Sequence, residues 1–236
     1  MERSVADAVS AMTASTGTLQ QTIFGLADDQ VTQPCLLPGW TRGHVLTHVA
    51  RNADAMVNLA TWARTGTESP MYTSREQRDA DIEAGAGRSA RELVDDVARS
   101  ADRLAAALAE LTDDQWRTTL RWGWRDREAP AARLPALRRV EVEIHHVDLD
   151  LDYTLAHLPE DLVEELLADS VAEFSARDDI EGFVLTANDD EGRWTVGDGG
   201  PEITGTPPSL LGWLLGRTDG IGLHSDKPLP TLGPWR

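Results

Sequence analysis

A chain of 236 residues has room for one large domain or two modest ones, and 41% hydrophobic with 26% charged residues is the composition of a globular protein, not a disordered or fibrous one. Asp and Glu total 40 against 22 Lys and Arg, a formal net charge of −18 that repels a phosphate backbone and excludes nucleic acid as the expected partner. No run of 18 apolar residues is present, so no membrane span is expected.

The opening "MERSVADAVSAMTAST" is acidic and amphipathic and lacks the apolar core of an export signal, so a cytoplasmic protein is the expectation. From residue 4 to 27 the spacing of Val5, Val9, Met12, Leu19, Ile23 and Leu26 predicts a helix. Gln33 to Trp40, with Pro34, Pro38 and Gly39, interrupts it. This segment holds Cys35, the single cysteine, which excludes an internal disulfide and fits a reducing compartment. No cationic neighbour in the segment would lower its pKa, so Cys35 is not expected to be a nucleophile.

Thr41 caps a second predicted helix that runs to about Arg64, and a third runs from Ser89 to about Leu111. The residues between them read as a loop with a short helix. The segment containing Trp116, Trp122 and Trp124 breaks the helical rhythm, and a fourth helix is predicted from about Ala131 to Asp152. Four such helices, each with one apolar stripe, bury themselves most easily as an antiparallel or crossover bundle. Beyond residue 155 the pattern changes to a helix from Glu160 to about Ser175, a hairpin from "GFVLTA" and "RWTVG", a short run "PEITG", and a proline-started helix "PPSLLGWLLGR". The fold class is therefore mainly α with a second α+β domain: a helical bundle over 1–155 and a small α+β domain over 156–236.

The fourth helix carries the sequence's most chemical pattern. Leu137, Val140, Ile144, Val147 and Leu151 form an apolar stripe, and Glu141, His145, Asp148 and Asp152 form an arc about 90° from it. Glu141 and His145, four residues apart, share a face and can converge on one ion. The second helix offers His44 and His48 at the same spacing. Two imidazoles and a carboxylate suit Zn²⁺ or a similar metal and leave a coordination position open. Spacing alone also fits solvated helix faces, with His44 and His146 as surface or structural residues and the "DLDLD" tail as a solvated helix end.

The words "LPGWTRGHVLTHVARNADAM", "NLATWARTGTESPMY", "RRVEVEIHHVDL" and "LLGRTDGIG", in this order, resemble the mycothiol-dependent maleylpyruvate isomerases, from about Leu37 to the C-terminus. The resemblance implies a DinB-like four-helix bundle holding a divalent metal, usually zinc, followed by a small sterol-carrier-like α+β domain. By position it implies His48, Glu141 and His145 as metal ligands and Arg217 as a catalytic arginine. Read from its position alone, Arg217 is a cation at the end of the helix "PPSLLGWLLGR". It further implies mycothiol as cofactor and cis-trans isomerisation of maleylpyruvate to fumarylpyruvate in aromatic catabolism. Which residues bind mycothiol stays open, with Arg42, Arg51 and Arg78 as candidate contributors to a basic pocket for the anionic substrate. Two other readings fit the same ligands: a mycothiol S-transferase acting on another electrophile, and a noncatalytic metal-binding protein.

Overall fold

In the computed structural model, which describes residues 4–123, 127–188 and 192–233, the chain divides into two compact units, Met1–Asp152 and Tyr153–Arg236. In the first unit, Ser4 caps α1 (Val5–Ile23), its hydroxyl accepting from the Asp7 amide at 3.1 Å. The helix stops four residues short of the expected end at 27, because Gly25 turns the chain at φ 87°. The short α2 (Asp28–Val31) then leads through the proline segment to α3 (Arg42–Thr65), which ends at Gly66 in a left-handed conformation. A 12-residue helix, α4 (Arg75–Ala86), precedes α5 (Ala90–Ala109).

After the single turn α6 (Asp113–Trp116), the tryptophan-rich segment forms a small antiparallel ladder of β1 (Thr119–Trp122) and β2 (Arg127–Pro130). Sequence periodicity shows only the loss of helical rhythm there, and Trp124 lies outside the described residues. The fourth long helix is shorter than its pattern. A 3₁₀ turn covers Ala131–Arg133, and α7 runs Leu134–Asp148, started by the proline at its second position. Asp150, at φ 52°, turns the chain away just past its end.

The long helices α1, α3, α5 and α7 make a four-helix bundle in which α3 packs on α5 and α7, and α1 on α7 and α5. Its apolar interior has two halves, one around Leu59, Leu104 and Leu134, the other around Leu19, Leu46, Val97 and Val142. α7 is buried on more sides than a single stripe allows. Ile144 and Val147 are buried as the stripe predicts, but so are Arg138, Val142 and His146. The solvated-tail reading of "DLDLD" fails at its first residue, since Asp148 is fully buried.

In the second unit, α8 (Glu160–Ser175) and α9 (Pro207–Leu214) pack on each other and on a three-stranded sheet of order β4-β3-β5. β3 (Phe183–Ala187) and β4 (Arg193–Val196) are antiparallel, with Phe183 opposite Val196. The residues joining them, 189–191, lie outside the described set. β5 (Glu202–Gly205) joins the other side of β3 in parallel, with Val184 opposite Glu202. Phe183 and Trp213 meet edge to face at 5.3 Å, fixing α9 to the sheet.

Candidate metal centre

Two antiparallel helices build the centre. On α3, His48 points into the bundle, 4% exposed, with the Trp40 ring against it at 5.8 Å. On α7, Glu141 and His145 share one face, as four-residue spacing dictates. His48 Nε2 lies 3.2 Å from Glu141 Oε2, and His145 Nε2 lies 3.6 Å from the same oxygen. The two imidazole rings meet edge to face at 4.5 Å. One ligand atom from each of the three residues lies within 4.8 Å of the others.

These separations can be compared with what a metal requires. Ligand atoms about 2.0–2.1 Å from a tetrahedral centre lie about 3.3 Å apart, close to the 3.2 and 3.6 Å observed. Two imidazole nitrogens and a carboxylate oxygen are also a donor set for a borderline transition metal with an open position. The residues fit a divalent ion. The side chains of His48 and His145 are 5% and 14% exposed while that of Glu141 is 35% exposed, so the centre opens to solvent on the carboxylate side.

Each histidine is backed differently. His145 Nδ1 donates to the fully buried Asp148 at 2.9 Å, and its Nε2 faces the Glu141 carboxylate at 3.6 Å. Burial lowers the His145 pKa, but the bonds to Asp148 and Glu141 outweigh it and the net shift is upward. His48 Nδ1 instead meets Arg78 Nη2 at 3.3 Å. Arginine can only donate, so the His48 proton sits on Nε2 and goes to Glu141. Burial first, then the neighbouring His145, pushes the His48 pKa down to about 4. Burial pushes the Glu141 carboxyl up, yet the hydrogen bonds from His145 and His48 hold it well below the usual range. Holding a metal at His48 Nε2 requires that proton to leave and the Arg78 contact to change.

The other sequence candidates take different places. His44 caps α3: its Nδ1 accepts from the Thr41 amide at 3.1 Å and its Nε2 reaches Glu83 at 3.2 Å. His146 is fully buried with Nε2 2.8 Å from the Thr22 hydroxyl, a tie between α7 and α1. Arg42 donates to the carbonyls of Leu149 and Asp150, and Arg51 pairs with Asp96 and Asp54. Of the three candidate basic residues, Arg78 alone touches a residue of the trio among the contacts described. Arg217 belongs to the second unit. It lies past the end of α9, beyond Gly216, and its Nη1 donates to the Leu215 carbonyl at 2.8 Å. Beside the trio the structure also places Asn52, Tyr72 and Arg138, which sequence reasoning did not single out. Asn52 and Arg138 stand one turn from His48 and Glu141 and were readable at that spacing, whereas Tyr72 comes from a loop that carries no periodic signal.

The mycothiol maleylpyruvate isomerase N-terminal domain matches residues 12–150. The chain belongs to the mycothiol maleylpyruvate isomerase family. The C-terminal domain of that family matches residues 157–232. Two crystal structures of a mycothiol-dependent maleylpyruvate isomerase, one of them a point mutant, superpose with a TM-score of 0.92 at 28% identity, covering 98% of this chain and 97% of theirs. No curated protein matches the chain. Among the described residues no helix is long and apolar enough to cross a membrane.

Proposed function

We propose that the protein is a mycothiol-dependent isomerase that converts maleylpyruvate to fumarylpyruvate, with His48, Glu141 and His145 as ligands of one divalent metal, zinc by preference of the donor set. The observation that carries this reading is the convergence of two imidazoles and one carboxylate from α3 and α7 at metal-ligand separations. It is supported by membership of the isomerase family along both units. A metal and a thiol bound together would supply a sulfur nucleophile at neutral pH, whose addition to the cis double bond allows rotation and whose elimination leaves the trans isomer.

The chain's own residues prepare that chemistry. Asp148, accepting from His145 Nδ1, would leave Nε2 as the ring atom that ligates a metal, and Glu141 stays ionised at any physiological pH. Trp40 walls one side of His48 and excludes water from it. Arg78 supplies a positive charge beside the centre of a chain of net charge −18, where an anionic substrate needs one. Arg217 is assigned as the arginine that grips a substrate carboxylate, a role suited to its planar fork. The cytoplasm, where a thiol cofactor stays reduced, is the compartment this reading assigns.

The test is loss of maleylpyruvate absorbance when zinc-loaded protein receives a trace of mycothiol. Turnover far exceeding the thiol supplied is expected, with none when thiol is omitted. Stoichiometric consumption of thiol would make the protein an S-transferase, and inactivity with both present would remove the isomerase reading.

A further inference from the structure

The rung beside the candidate metal ligands is polar, buried and charged. Asn52 stands one turn after His48 on α3, and Arg138 one turn before Glu141 on α7. Because the helices are antiparallel, the two side chains meet. Arg138 is 1% exposed and Asn52 3%. Arg138 Nη1 donates to Asn52 Oδ1 at 2.7 Å and to the Val49 carbonyl at 2.9 Å, two neutral acceptors. Its Nη2 is buried and has no hydrogen-bond partner among the described residues.

A guanidinium removed from water normally has a carboxylate beside it, since an unpaired buried charge is costly. Here burial draws the Arg138 pKa down to about 10, opposed chiefly by the Glu141 charge, so the group stays cationic at neutral pH. That nearest counter-charge is engaged with His48 and His145. With Glu141 spent on a divalent ion, Arg138 would keep a full charge and an unused donor one helical turn, about 5.4 Å, along the bundle from the trio.

We propose that Arg138 Nη2, set by Asn52, is a carboxylate-binding subsite beside the metal ligands, which takes one end of a small dicarboxylate ligand. The proposal rests on the reading of the trio as the metal centre of a substrate site. Asn52 positions the guanidinium by accepting from Nη1 and leaves Nη2 for the ligand, a charge-assisted bond in a dry setting. Nη2 is out of contact with solvent, so a ligand reaches it by displacing a neighbour. Tyr72, half-buried and interacting with both Asn52 and Arg78, is the side chain placed to yield.

The experiment uses zinc-loaded full-length protein and two inert probes, succinate and acetate, titrated calorimetrically. Wild type is expected to hold succinate at least about tenfold more tightly than acetate. Arg138→Met removes the donor. Asn52→Asp places a carboxylate where Arg138 Nη1 already bonds, which neutralises the guanidinium from within and favours folding. Both variants should keep zinc content and helical circular dichroism while the preference for succinate falls to near unity. A purely structural arginine would tolerate Asn52→Asp with the preference intact, and that result, or its absence in wild type, overturns the proposal. If wild type prefers succinate but does not isomerise maleylpyruvate, the subsite stands and the assigned reaction fails. If it isomerises while Asn52→Asp retains the preference, the reaction stands and the subsite fails.

Discussion

Asp148 shows how much a single side chain decides. Its carboxylate, fully buried, accepts from His145 Nδ1 at 2.9 Å and so aims Nε2 at Glu141. Such carboxylate–histidine pairs raise ligand basicity and typically change metal affinity by about 10–100-fold. Asp148→Asn, which keeps shape but loses charge, is expected to weaken zinc binding by about tenfold in a chelator competition with the fold unchanged; an unaltered affinity would leave Asp148 a structural acid. Cys35 is the opposite case. Burial raises its thiol pKa, and Sγ lies 3.5 Å from the Trp40 carbonyl, the geometry of a thiol that donates. Cys35→Ser should retain near wild-type turnover, and a loss of a hundredfold in a folded variant would make the thiol a participant after all. Glu141 and His145 were legible as a pair because i,i+4 spacing survives in one dimension, whereas the choice of His48 over His44 rested on the family resemblance and not on spacing. Asp148 was misread as part of a solvated tail because its neighbours Asp150 and Asp152 are acids too, and only the turn at Asp150 shows which one is buried.

At the scale of elements, packing around α3 places the second layer of the centre. Gly43 of α3 lies so close to the Ala86 carbonyl at the end of α4 that a Cβ would collide with backbone, and a Cβ on Gly85 would collide with Thr47. α4 carries Arg78 to His48. Gly43→Ala is therefore expected to cost about 1–3 kcal/mol and push α4 outward, read as a lowered denaturant midpoint at unchanged m; no loss of stability would mean the helices separate freely there. Asp96 of α5 ties the same region together, accepting from Arg51 at 2.9 Å and Arg88 at 2.8 Å while 8% exposed. Burial raises its pKa, but the two guanidinium groups outweigh it and the folded value falls below 3.8. A carboxyl with a depressed folded pKa contributes stability in full above the unfolded value and loses it as pH falls through the folded one. Asp96→Asn should thus cost about 1–3 kcal/mol near neutrality and flatten the loss of stability below about pH 4, checked by urea unfolding across pH. If the variant and wild type lose stability in parallel in acid, Asp96 is not a contributor. The four long helices were legible from their periodicity, whereas their ends depended on Gly25 and on the 3₁₀ turn before Pro135, which periodicity does not record. The β1–β2 ladder was illegible for the same reason, because four-residue strands carry too few alternations to count.

For the molecule as a whole, a chain of net charge −18 places two cations beside one centre: the buried Arg138, at 1% exposure, and the half-buried Arg78 against His48. That local gathering of cations was invisible in composition, which reports only the excess of acids. The division of the chain into Met1–Asp152 and Tyr153–Arg236 falls where the long helices give way to a helix, three short strands and a shorter helix. The trio's proposed role is to hold one metal with three side chains from two helices of the first unit. It is tested most directly by elemental analysis after dialysis against zinc and removal of the excess, on wild type and on His48→Ala, Glu141→Gln and His145→Ala in parallel. One equivalent of zinc per wild-type chain is predicted, with each variant folded and retaining less than about a tenth of it; full zinc content in any of the three variants would contradict the account.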